Sequence, residues 1–165
     1  MIKIISGGQT GVDRGALDAA LAIGVECGGW CPSGRLAEDG RIPKRYPLSE
    51  LESRNYRDRT LQNVIDSDGT VIFYFGIMEG GTKLTSIFCK NQHKPYLCFD
   101  ATKICEQQAT ELIHTFTLKY RINELNIAGP RASKIKNAHK YTMSTIAAFL
   151  QKTTTVNDLI SMDRS

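Results

Sequence analysis

The chain has 165 residues, close to one domain at roughly 150 residues per domain, which excludes a multidomain machine. With 41% hydrophobic and 23% charged residues it has the composition of an ordinary globular domain and no signature of disorder. A net charge of +4, from 21 basic and 17 acidic residues without any long run of Lys and Arg, makes no demand for nucleic acid; a pocket for a small phosphorylated anion would need only a few convergent cations.

Short apolar, β-rich runs alternate with longer helical patterns. Ile2–Ile5 reads as a strand and Gly15–Ile23 as a helix, in which Leu17, Ala20, Leu21 and Gly24 recur at i, i+3, i+4 and i+7. The first three should face a sheet, and Gly24 suits a left-handed helix end. Val25–Trp30 reads as a second strand weakened by Gly28 and Gly29. From Cys31 to Tyr56 the pattern is irregular, with Pro32, Pro43, Pro47, Gly34 and Gly40. Ile42, Tyr46, Pro47, Leu48 and Leu51 give it material to pack, so residues 34–55 are expected to form an ordered lid over a site.

Tyr56 to Asp68 reads as a polar helix ending in an acidic turn, where Asp66 and Asp68 hydrogen-bond the backbone and Arg59 or Asn63 reaches toward the pocket from beneath the lid. Strand and helix then alternate again: Val71–Phe75, Thr82–Asn91, Tyr96–Phe99, Cys105–Tyr120, Leu125–Ala128 and Ala138–Leu150. Continuously apolar strands such as Val71–Phe75 suit a parallel sheet buried on both faces, with helices as the crossovers. The expected fold is therefore α/β, a single doubly wound, mostly parallel sheet with helices on both faces over residues 1–152. The tail, 153–165, reads either as an arm that docks on a partner subunit or as a frayed end.

In such a sheet ligands bind outside the carboxyl ends of the strands, where the βα loops converge. Three loops carry chemistry. After the first strand come Gly7, Gly8, Gln9, Thr10, Gly11, Asp13 and Arg14, glycines for close backbone approach followed by a helix start that favours an anion, with hydroxyl, amide, carboxylate and guanidinium groups beside them. A tight βα turn with Asp13 paired on the surface accounts for the same residues. After Val71–Phe75 come Gly80, Gly81, Thr82, Lys83 and Thr85, a second helix start of the same type. After the last strand come Gly129, Pro130, Arg131 and Ser133, a rigid turn with a third anion clamp. Three such turns at three strand ends point to an anionic small-molecule pocket. If Arg14 or Arg131 makes a charge-assisted bond there, its replacement by Ala should weaken anion binding by about 1.5 to 3 kcal/mol.

Five cysteines (Cys27, Cys31, Cys89, Cys98, Cys105) are an odd number, and the start of the chain lacks the charged and apolar regions of a secretory signal, so a reducing cytoplasm is expected. No apolar run approaches the roughly 20 residues needed to cross a bilayer, so no membrane association is expected. Cys27 and Cys31 supply two ligands at most, and His93, His114 and His139 are scattered, so the cysteines read as packing and no protein-ligated metal is expected.

The segments Ser6 to Arg14, Gly29-Trp30-Cys31-Pro32, Ala37-Glu38-Asp39-Gly40, Tyr46-Pro47-Leu48, Asp66-Ser67-Asp68, Gly80-Gly81-Thr82 and Ala128 to Lys134 together resemble the putative molybdenum cofactor carrier family, over about Ile2 to Leu150. That resemblance implies a Rossmann-like fold and kinship with the lysine-decarboxylase-like phosphoribohydrolases. It implies molybdenum cofactor (molybdopterin) as a bound ligand, held by the loops at 7–14, 80–85 and 129–133, and a homo-oligomer, dimer or tetramer, with molybdoenzymes as possible recipients. In the related hydrolases the Gly-Thr pair is followed, after two residues, by a catalytic glutamate; here that position is Thr85, which has no acid–base function near neutrality. Binding without turnover is favoured. A nucleotide-binding sensor, or a nucleoside-phosphate hydrolase using another acid such as Asp13 or Glu79, would use the same loops.

Overall fold

A computed structural model describes the backbone of residues 2–162 and the side chains of residues 2–155. The apolar runs form a five-stranded sheet of β1 (Lys3–Ile5), β2 (Cys27–Gly28), β7 (Gly69–Tyr74), β8 (Tyr96–Asp100) and β9 (Glu124–Ala128), in the order β2-β1-β9-β7-β8. All pairings in it are parallel. Val71, Ile72 and Phe73 of β7 are fully buried, as a strand covered on both faces requires. Helices α1 (Val12–Ile23), α4 (Glu106–Tyr120) and α5 (Ala138–Met162) pack together as one layer, and α2 (Tyr56–Ile65) with α3 (Gly80–Asn91) as the other. The protein is thus an α/β Rossmann-like domain.

Helix α1 ends as its sequence predicts: Gly24 is left-handed (φ 77, ψ 27), and the N–H of Val25 reaches back to the carbonyl of Ala20 at 2.9 Å. The buried face differs from the expected one. Leu17 and Ala20 are buried together with Gly15, Ala16 and Ala19, but Leu21 is 41% exposed; α1 packs against α5, which Gly15 meets at His139 and Thr142. A Cβ on Gly15 would lie 2.6 Å from the carbonyl oxygen of His139, so close approach through small residues sets the helix's rotation.

Other boundaries shift. The second strand is split by Gly29 into β2 and β3 (Trp30–Cys31), α1 and α3 start earlier than Gly15 and Thr82, and α5 runs on from Leu150 to Met162. The segment read as a tail therefore begins as helix; its side chains from 156 onward, and any docking they perform, lie outside the described residues.

The stretch 34–55 is ordered, and none of the residues that line the cavity described below comes from it. It contains the hairpin of β4 (Leu36–Ala37) and β5 (Gly40–Arg41), and β6 (Ser49–Glu50), which pairs in parallel with β3. Ile42, Tyr46 and Leu48 are buried in the main core. Burying an irregular loop strands its carbonyls, and Arg35 answers this: its buried guanidinium donates to the carbonyls of Ile42 (3.1 Å), Leu48 (3.0 Å), Pro43 (3.0 Å) and Tyr46 (2.8 Å). The acidic turn divides its work. Asp68 accepts the N–H groups of Asn123 and Glu124, both at 2.8 Å, and so aligns the start of β9; Asp66 instead accepts the Trp30 indole N–H at 2.6 Å.

Candidate functional site

The chain leaves β1 toward one edge of the sheet and β7 toward the other, with β9 between them. That is a topological switch point, and the loops at the carboxyl ends of these three strands part to leave a crevice. A cavity of about 830 Å³ opens there, lined by all three loops and by the exposed start of α2. This volume suits a nucleotide- or pterin-sized ligand.

Of the residues the sequence singled out, Gly7, Gln9, Asp13, Gly81, Thr82, Thr85, Gly129, Pro130 and Arg131 line the cavity, whereas Gly8, Thr10, Gly11, Arg14, Gly80, Lys83 and Ser133 do not. The three loops converge, but their chemistry is unequal. The start of α1 is closed from within: the N–H of Val12 donates to the carbonyl of Pro130 (3.2 Å), that of Gln9 to the Asp13 carboxylate (3.3 Å), and that of Thr10 to the Gln9 side chain (3.0 Å). Few free N–H groups remain there for an anion.

The start of α3 is open. Glu79 precedes it without a side-chain capping bond, Gly81, Thr82 and Thr85 face the cavity, and a Cβ on Gly81 would meet nothing within 4 Å. Its first-turn N–H groups and positive dipole end are therefore the donors this site has left to offer an anion. The loop leading to it is held by Asp100, which accepts the Gly76 N–H at 2.9 Å; that bond, with those from Thr102, holds the Asp100 carboxyl below the usual range. Thr85 spends its hydroxyl on the carbonyl of Gly81 (2.9 Å).

Arg59 of α2, left off the sequence-derived set, holds the centre of the site. Its guanidinium lies against Gly7, where any Cβ would overlap it, and Nη1 donates to Asp13 at 2.7 Å. Burial pushes the Asp13 carboxyl above its ordinary range, and Arg59 with the N–H groups of Gln9 and Gly7 opposes this in part. The Arg59 Nε is buried and has no hydrogen-bond partner. Tyr56, Thr60 and Asn63 also line the cavity, from the same face of α2, and their i, i+4, i+7 spacing was the available signal. Tyr74, Phe75 and Ile135 supply apolar wall that sequence reasoning assigned only to the core or left out.

Arg14 and Arg131 are not bare clamps. Arg14 grips both oxygens of Asp39, at 2.5 and 2.8 Å, and Arg131 pairs with Glu38 at 3.3 Å. Lys134, another wall residue, pairs with Glu79 at 3.0 Å. Among the described residues no group of three or more His, Cys, Asp and Glu could hold a metal ion, and no cysteine lines the cavity. No helix among them is long and apolar enough to cross a membrane.

The circularly permutated YpsA SLOG family matches residues 4–150. A solved structure named putative molybdenum carrier protein, from Syntrophus aciditrophicus SB, is similar to this chain at 47% identity, covering 91% of this chain and 95% of its own, with a TM-score of 0.88. No curated protein matches.

Proposed function

This chain belongs to the circularly permutated YpsA SLOG family, and on that footing we propose that it binds a small phosphorylated anionic ligand in the crevice between β1, β9 and β7, the ligand being molybdenum cofactor. The observation that carries the reading is the uncapped start of α3 in the cavity wall, with the Arg59 guanidinium and its partner Asp13 also lining the cavity. The phosphate belongs at the first turn of α3, with the N–H groups of Gly81 and Thr82 as donors, and Tyr56, Tyr74 and Phe75 supply apolar and aromatic surface for a flat heterocycle.

The name of the Syntrophus aciditrophicus relative supports molybdenum as the cargo. The metal would arrive within the pterin dithiolene and not on this chain's cysteines, three of which are buried away from the cavity. In this reading the protein is a cytoplasmic carrier, a homodimer or homotetramer, that shields the cofactor and yields it to molybdoenzymes. Thr85 in the position of the related hydrolases' glutamate supports binding without turnover.

The test is anaerobic incubation of purified protein with released molybdenum cofactor, removal of unbound material, and measurement of the oxidised pterin fluorescence retained per chain, with AMP as competitor. Near-stoichiometric retention that AMP does not displace supports the carrier reading; no retention, or easy displacement, sinks it. Asp13 motivates a second reading, because a buried carboxyl held above its usual range on the cavity wall is a potential proton-transfer group. Release of free base from a nucleoside monophosphate, lost in Asp13→Asn, would establish a hydrolase; AMP affinity without release would establish a sensor.

A further inference from the structure

We propose that Glu38 and Asp39, at the tip of the β4–β5 hairpin, are specificity-determining residues: they fill a donor cluster at the cavity rim with the chain's own carboxylates and so restrict the cavity to ligands bearing one phosphate. This rests on the reading of the cavity as a phosphate-ligand site and decides which phosphates it takes.

The donors beside the rim, of which Arg131 alone lines the cavity, are of the kind that recognise phosphate: two hydroxyls, a loop N–H and two guanidiniums. All are taken from within. Glu38 accepts from the Thr10 hydroxyl, the Ser133 hydroxyl and the Ser133 N–H (3.0 Å), and it pairs with Arg131. Asp39 binds Arg14 through both oxygens. The Glu38 side chain is 17% exposed although the residue lies at the surface, and several charge-assisted bonds converge on its carboxylate, which distinguishes it from a single loose surface pair. Gln9 joins this cluster to the cavity: it lines the cavity, and its side-chain oxygen accepts the N–H groups of Thr10 (3.0 Å) and Glu38 (2.9 Å).

The charges of the cavity wall lead to the same place. Its cations are Arg57, Arg59, Arg131 and Lys134, and the last three each meet a carboxylate, Asp13, Glu38 and Glu79 respectively. Arg57 stacks on Phe88 at 5.4 Å and has no ion pair among the described residues. One cation and a helix end worth about half a charge leave roughly +1.5 to meet the ligand. A phosphate monoester carries about −1.5 to −2 near neutral pH, which this balances. A triphosphate would bring charge for which the cavity has no remaining counter-ion, at a desolvation cost. Freed of Glu38 and Asp39, Arg131, Arg14 and the two hydroxyls would become the missing subsite.

The experiment is calorimetric titration of the full chain with inorganic phosphate and with tripolyphosphate, in the wild type, Glu38→Gln, Asp39→Asn and the double variant. The wild type should bind the two anions within about threefold of each other, and the double variant should gain about tenfold or more for tripolyphosphate with phosphate changed by less than about twofold. A wild type that favours tripolyphosphate by about tenfold, or a folded double variant without gain, overturns the proposal. Should the double variant fail to fold, the wild-type comparison and Asp39→Asn alone decide it. A wild type that binds neither anion overturns the phosphate-site reading beneath it, an outcome distinct from tripolyphosphate preference.

Discussion

Replacing Arg59 with Met removes one guanidinium and keeps most of the stem's bulk, and two separable losses follow. The first is in binding. A charge-assisted bond from Arg59 to a ligand anion contributes about 1.5 to 3 kcal/mol, so affinity for the retained pterin should fall by about 10- to 150-fold. The second is in stability. A contact ion pair at an effective dielectric of about 20 attracts by roughly 4 kcal/mol, but desolvation of both partners offsets most of it. The variant leaves Asp13 buried without its counter-ion, and the carboxyl escapes part of that penalty by taking a proton. A net loss of about 1 to 3 kcal/mol is expected, read as a lower urea midpoint at unchanged slope. Arg14→Ala is the contrast: its guanidinium is committed to Asp39 and off the cavity, so its affinity loss should stay below about 1 kcal/mol. An Arg59→Met protein that is folded and binds within twofold of wild type, or an Arg14→Ala protein that loses more than Arg59→Met, would refute the reasoning.

Gly7→Ala should shift Arg59 off its seat without altering any charge, weakening pterin retention by about tenfold; equilibrium titration checks it. Arg35→Met strands the buried carbonyls of Ile42, Pro43, Tyr46 and Leu48, and should lower unfolding free energy by about 3 kcal/mol or more in urea melts. Stability should fall on acidification. Burial alone would raise the Glu38 carboxyl, but hydrogen bonds from Ser133 and Thr10 outweigh it, and a bond from Arg14 lowers Asp39; both carboxyls are held below their ordinary range. A depressed folded pKa contributes stability that is present above the unfolded value and is lost as pH falls through the folded one, below about pH 4. Urea midpoints measured against pH should therefore drop in that acid window, and less steeply in the Glu38→Gln/Asp39→Asn variant. Asp13 acts with the opposite sign, since burial raises its folded pKa: it favours the fold at low pH and costs stability as pH rises through that value. Asp13→Asn should accordingly remove a loss above the carboxylate range, visible as a flatter upper limb of the same curve.

Local patterns in the sequence were enough for the sheet, for the helices to within a few residues of their starts and for the Gly24 terminus, because period, β-branching and backbone freedom act between near neighbours. They were also enough to bring the loops of Gly7, Gly81 and Gly129 to one crevice, since parallel strands put their βα turns at the same edge. Which of those loops still has donors to offer was not legible. Arg14 and Arg131 look like clamps in sequence, yet Asp39 and Glu38 hold them from 25 and 93 residues away. Arg59 looks like one charge on a polar helix, yet its partner Asp13 is 46 residues distant. Arg35 serves carbonyls that become a problem only once its loop is buried. An ionic or hydrogen-bonding partner is chosen by distance and burial in the folded molecule, both of which depend on how α2 and the 34–55 segment pack against the strand ends. A linear pattern records neither quantity, so only the tertiary structure decides whether a charged side chain is free to meet a ligand.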